Sequence, residues 1–217
     1  MVLSAVMKIH VARHGIREDH IDPDWKSKAA YPDDPGLHSS GLKQAGELGD
    51  FLKEKGIQII YTSPFLRAVQ TALELDKRLG VGIRMEKGLC ESLRPEWFER
   101  MPKFKPGIAL LRSYSGFDSS WESVGRPSFP EPESELASDK RLAVFIEDFI
   151  KIEKRDCVLV GHGAVVHGLS EALLPANAKP CYKTCALNVM EGEGSDWKLS
   201  YADNEFLSIK EEKLLFE

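Results

Sequence analysis

Long apolar runs are missing from this chain, so none of its segments is expected to cross a membrane as a helix. The first seven residues are apolar but lack a basic leader and a small-residue cleavage site. They run on toward Arg13-His14-Gly15, which predicts an opening strand and not a signal peptide. Cysteine is scarce, limited to Cys90, Cys157, Cys181 and Cys185. No C-x-x-C pair occurs and no histidine-rich spacing accompanies Cys181 and Cys185, so no metal site is expected. The thiols are read as reduced, in a cytoplasmic or nuclear setting. A surplus of positive charge is also missing: 29 Lys and Arg stand against 34 Asp and Glu. The net charge of -5 makes direct nucleic-acid binding an unfavoured reading, but leaves room for a local basic pocket. Internal repeats and low-complexity blocks are lacking as well.

What is present suits a folded α/β protein. Hydrophobic residues make up 42% of 217, enough for a proper core, and the length fits a single domain over 1–217 with a sizeable insertion. Strand and helix patterns alternate. Residues 6–12 read as a buried strand, 17–40 as a polar loop, and 41–55 as a helix capped by Ser39 or Ser40. That helix has an apolar stripe of Leu42, Ala45, Leu48, Phe51 and Leu52. A β-branched strand follows at 57–61. Ser63 as N-cap and Pro64 at the first helical position predict a helix whose inner face carries Leu66, Val69, Leu73, Leu75 and Leu79. Residues 82–86 are a third strand. Residues 94–134 are rich in proline, serine and aromatics without a steady period, and read as an irregular insertion over one end of the sheet. A helix at 135–154, using Leu136, Leu142, Phe145, Ile146 and Phe149, leads to the apolar strand 157–160. A tight turn at 161–163 and a helix at 164–174 follow. Strands at 186–190 and 198–201 predict a hairpin, and the acidic tail 203–217 is weakly structured by pattern.

This order predicts a three-layer α/β/α sandwich with a mostly parallel central sheet. Ligands of such sheets bind beyond the carboxyl ends of the strands. Arg13-His14-Gly15, Thr62-Ser63-Pro64 with Arg67, and Gly161-His162-Gly163 all fall at strand ends. They would gather arginine and histidine in one place. Arginines Arg13, Arg17 and Arg67 offer planar forks that match phosphoryl oxygens, and a helix N-terminus near Pro64 would add N–H groups. Neutral imidazole is a nucleophile that could form a phosphohistidine. The leaving oxygen needs a proton. Glu91 is the leading candidate donor, with Glu18, Asp19 and Asp22 also open. His10, His38 and His167 read as ordinary core or surface residues.

These segments resemble the histidine phosphatase superfamily, the phosphoglycerate-mutase-like proteins. Residues 11–15 are similar to its R-H-G signature. Residues 36–45 resemble L-T-x-x-G-x-x-Q-A, with His38 in place of Thr, and 60–72 resemble S-P-x-x-R-x-x-Q-T-A. Residues 158–163 resemble the strand and turn of the second histidine. The resemblance implies His14 as the phosphorylated nucleophile and Arg13, Arg67 and His162 as the phosphate pocket. Ser63 and Gly163 join them as further contacts. Glu91 falls to the acid of the branch lacking one directly after the second histidine. It also implies a phosphomonoesterase that needs no metal and no cofactor. Arg17 and Asp19, in R-H-G-x-R-x-D, are similar to the tyrosine-phosphatase-like members, including the suppressors of T-cell receptor signalling, and add Arg17 to the pocket. Residues 86–95 and 204–208 resemble the histidine-phosphatase domain of a fungal transcription factor IIIC subunit and its free-standing relatives. That likeness implies a second reading, a weakly active or non-catalytic interaction module with a protein partner in a nuclear complex. A mutase is a third and disfavoured reading, since no extra basic groups await a second phosphate.

Overall fold

The computed structural model describes residues 6–98, 102, 104–125 and 134–210. Its strands are β1 (Met7–Arg13), β2 (Ile59–Thr62), β3 (Ile83–Met85), β4 (Cys157–Gly161), β5 (Leu187–Glu193) and β6 (Asp196–Asp203). They form a sheet in the order β3-β2-β4-β1-β5-β6. β1 to β4 are mutually parallel, while β5 runs antiparallel to β1 and β6 antiparallel to β5. The helices are α1 (Trp25–Lys28), α2 (Ser39–Leu52), α3 (Leu66–Leu79), α4 (Lys105–Arg112), α5 (Glu135–Ile152) and α6 (Gly163–Leu173).

The central strands read as apolar runs because both sheet faces are covered. Ile9, Val11, Ile59, Tyr61, Cys157 and Leu159 pack against α5 and α6 through Leu142, Phe145, Ile146, Phe149, Val165 and Leu169. Ala12, Ile60, Val158 and Val160 pack on the other side against Ala45, Leu48 and Leu52 of α2 and Ala68, Val69 and Ala72 of α3. This is the three-layer α/β/α arrangement expected, and each fully buried aliphatic or aromatic side chain contributes about 1.5–3 kcal/mol.

Several boundaries differ from expectation. Helix α2 begins at Ser39, and His38 is its N-cap, with ring Nδ1 accepting from Ser40 N at 3.3 Å. Neither serine is the cap, because the first helical bond runs from Leu42 N to His38 O at 3.0 Å and puts both serines inside the first turn. Leu42 and Leu136 point outward, at 37% and 64% exposure, and Ser138 takes an inner position on α5. Helix α3 begins at Leu66, so Pro64 is not its first residue and Ser63 not its cap. The Ser63 hydroxyl is held by His162 instead, and the Leu66 N–H is capped by Asp34 at 2.9 Å. The insertion contains helix α4, with Pro106 in its first turn and Gly107 against Pro64 O. Residues 204–210 are not loose. Phe206 stacks on Phe51 at 4.4 Å, Ser208 N donates to Glu47 at 2.9 Å, and Asn204 and Leu207 are buried. Residues 1–5 of the expected first strand, 99–101, 103 and 126–133 of the insertion, and 211–217 of the tail lie outside the described residues.

Candidate active site

The carboxyl ends of β1, β2 and β4 converge as the strand order requires. His14 follows β1. Its N–H donates to Gly161 O at 3.0 Å, and its carbonyl accepts from Cys185 N at 3.3 Å. Cys185 reaches that position in a left-handed conformation, φ 49°, a strained backbone typical of functional sites. The ring is buried, and its Nδ1 lies 2.8 Å from Gly15 O. A carbonyl only accepts, so Nδ1 carries the proton and Nε2 keeps its lone pair. Burial, and then the Arg67 charge, holds the His14 pKa well below the usual histidine range, so the ring is neutral at physiological pH.

His162 caps α6 directly after β4. Its Nε2 is 2.8 Å from Ser63 Oγ, and its Nδ1 faces Glu91 Oε2 at 3.4 Å. Its ring stands edge-on to His14, centroids 5.3 Å apart. Burial and Arg67 lower its pKa too. Arg67, second residue of α3, lies buried over the Phe65 ring at 4.3 Å, and burial lowers its pKa to about 10. It therefore remains a cation. Its terminal nitrogens face Glu91 Oε2 at 3.5 Å and Asp34 Oδ1 at 3.8 Å. Arg13 donates to Tyr182 O at 2.8 Å, and Arg17 grips Asp19 through two bonds of 2.8 and 3.0 Å. Arg13, Arg17, Arg67, Glu91 and Gly163 line a cleft of about 740 Å³, whereas His14, His162 and Ser63 are buried and do not line it. A Cβ on Gly163 would meet nothing nearer than Arg13 Nε at 3.9 Å, so this glycine leaves space and not a tight turn.

A family model described as histidine phosphatase superfamily (branch 1) matches residues 9–205. The chain belongs to that family. Among curated relatives, the transcription factor tau 55 kDa subunit of Saccharomyces cerevisiae is 29% identical over 195 residues, 78% of this chain and 41% of that protein. A putative phosphoserine phosphatase 2 of Hydrogenobacter thermophilus is 29% identical, covering 69% of this chain and 73% of its own length. Human ubiquitin-associated and SH3 domain-containing protein A is 28% identical, covering 79% and 32%. The chain thus spans under half of the first and last of these relatives. Among solved structures, the ecdysone phosphate phosphatase of Bombix mori in complex with tungstate has a TM-score of 0.72 at 20% identity, covering 90% and 92%. That likeness shows the phosphoglycerate-mutase-like fold.

In this member of the histidine phosphatase superfamily, the nitrogen and oxygen donors of His14, Glu91 and His162 lie within 4.8 Å of one another, a spacing that a metal ion could use. The surrounding guanidinium groups oppose a cation there and favour an anion with several oxygens. Sequence reasoning missed Asp34, which faces Arg67, and His167 and Tyr182, which line the cleft. The aromatic residues Trp97 and Phe98 do line it, as the expected cap over the sheet would. No periodicity marks Asp34, and His167 has only its place on α6, one face of which meets the cleft.

Proposed function

We propose that this protein is a metal-independent phosphomonoester hydrolase acting through a phosphohistidine on His14. The Nδ1–H to Gly15 carbonyl bond is the observation that carries this reading, because it leaves the Nε2 lone pair for attack. Nε2 forms a bond to phosphorus as the bond from phosphorus to the leaving oxygen breaks. Arg13, Arg17 and Arg67 take up the charge on the remaining phosphoryl oxygens, and His162 Nδ1–H adds a donor. Glu91, 3.4 Å from His162, delivers a proton to the leaving oxygen. It then takes one from the water that cleaves the P–N bond. Ser63 fixes the His162 ring, and Gly163 leaves room beside the phosphate.

Trp97, Phe98 and Tyr182 in the cleft wall supply ring faces, which favours aryl phosphates and phosphotyrosine as substrates. The similarity to ubiquitin-associated and SH3 domain-containing protein A and the R-x-D pair of Arg17 and Asp19 support the same preference. Similarity to a putative phosphoserine phosphatase makes small phosphomonoesters the competing class. A second reading, an interaction module of a nuclear assembly, draws on the likeness to the transcription factor tau 55 kDa subunit.

The test is hydrolysis of p-nitrophenyl phosphate in EDTA by wild type and His14→Ala. Turnover lost in the variant supports the enzyme and its nucleophile. Equal turnover in both removes His14 from that role. Two folded but inactive proteins favour the interaction module.

A further inference from the structure

Arg67 is placed unusually for a phosphate ligand. Each terminal nitrogen faces a carboxylate, Asp34 at 3.8 Å and Glu91 at 3.5 Å, and both distances exceed a hydrogen bond. Arg67 Nε has no partner among the described residues. The guanidinium is therefore attracted from two directions and committed to neither. Asp34 is as buried as Arg67, and one of its oxygens, Oδ2, has no hydrogen-bond partner among the described residues. Its Oδ1 accepts from Leu66 N at 2.9 Å, and its own N–H donates to Tyr31 O at 3.0 Å.

The same segment carries Arg17. Leu37 N donates to Gln70 Oε1 of α3 at 2.6 Å, Glu18 N donates to Gly36 O at 3.0 Å, and Arg17 pairs with Leu37 as a β-bridge. Asp34 thus stands where the Arg17 segment meets the helix start that carries Arg67.

We infer that Asp34 is a positioning residue, a counter-anchor that stops Arg67 from closing onto Glu91 and so keeps its N–H groups open to a phosphoryl group. Without the Asp34 charge, nothing opposes the pull of Glu91, already the nearer of the two carboxylates, and a bidentate pair there would take up the donors that phosphate needs. The same collapse would hold Glu91 away from a leaving oxygen. This inference rests on the reading of Arg67 as a phosphate ligand.

The experiment is calorimetric titration with orthovanadate, above neutral pH, of wild type, Asp34→Asn, Glu91→Gln and the double variant. Burial raises the Asp34 carboxyl to about 6, so it is charged under those conditions. Asparagine keeps an oxygen for the Leu66 N–H, removes the charge and places an NH2 where the unpartnered Oδ2 stands. Losing a charged donor should weaken vanadate about tenfold in Asp34→Asn. In the Glu91→Gln background the same change should weaken it by less than about threefold, because the carboxylate on which Arg67 would close is already gone. An equal penalty in both backgrounds, or none in either, overturns the inference. Absence of vanadate binding by wild type overturns the phosphate pocket and the inference with it. Asp34→Ser, a smaller neutral acceptor, repeats the comparison if Asp34→Asn does not fold.

Discussion

Replacing Gly41 with alanine adds one methyl group where the first turn of α2 meets the segment behind His14, the proposed nucleophile. Ile16, two residues after His14, is held from both sides by this helix start. Its carbonyl accepts from His38 N at 2.9 Å, and its N–H donates to Gln44 Oε1 at 3.0 Å. A Cβ on Gly41 would overlap Ile16 O, with Ile16 N at 2.8 Å and Ile16 C at 3.0 Å. All three are backbone atoms and cannot rotate aside. Restoring contact distance requires a shift of about 1 Å between α2 and the His14 loop. A nucleophile misplaced by that much loses about 100-fold in rate. Alanine is intrinsically better in a helix by about 1 kcal/mol, so propensity alone predicts a more stable and equally active protein. Gly46→Ala is the control. The Cβ there would meet only the guanidinium end of Arg78, a flexible side chain able to swing away. The assay is kcat for p-nitrophenyl phosphate together with thermal melting. Gly41→Ala should lose about 100-fold while Gly46→Ala stays near wild type. Activity of Gly41→Ala within twofold of the control would refute the steric argument.

Other expectations follow from the same geometry. Glu91→Gln should lower kcat on alkyl phosphates by about 100-fold and on p-nitrophenyl phosphate far less, since that leaving group departs without a proton; equal losses would remove Glu91 as the acid. Glu86, buried, accepts from Gly88 N and Gly125 N on one oxygen and from Val124 N and Trp121 Nε1 on the other. Glu86→Gln turns an amide group toward two of these donors and should cost about 3 kcal/mol in denaturant unfolding; a loss below about 1 kcal/mol would contradict this. His10, buried in β1, has its pKa lowered to about 4, chiefly by burial, from 6.5. Between those values the unfolded chain binds the proton and the folded one does not, so stability falls as pH drops from 6.5 toward 4. The contribution reaches about 3 kcal/mol at the acid end. His10→Gln should lose this part of the pH slope, and an unchanged slope would count against it.

The layers of the fold were legible because the central strands are covered on both faces. Val11, Ile60, Val158 and their neighbours have no solvent side, so they read as unbroken apolar runs. The gathering of Arg13, His14, Arg67 and His162 was legible because each stands beside a strand end, and parallel strands bring those ends together. Contacts made across the chain were not legible. Ser63 looks like a helix cap until His162, 99 residues away, takes its hydroxyl. Asp34 sits in a proline-rich loop without period, and only the folding back of that loop brings it to Arg67. Helix α4 is short and opens on Lys105-Pro106-Gly107, a composition that reads as a turn. Glu86 looked like the end of a strand, since its four donors come from a turn and from residues 121–125.

β1 lies in the middle of the sheet, yet both of its neighbours, β4 and β5, come from the last third of the chain. During synthesis the intervening residues take on the order of 10 s to appear, and β1 has no partner for all of that time. The α2-β2-α3-β3 portion can assemble first, because its contacts are closer in sequence. The strand that leads into His14 is then an apolar segment awaiting an edge, a natural client for chaperones. Turnover should therefore arise in one late step of maturation, and a ribosome stalled before β4 should hold the α2-β2-α3-β3 portion with no working pocket.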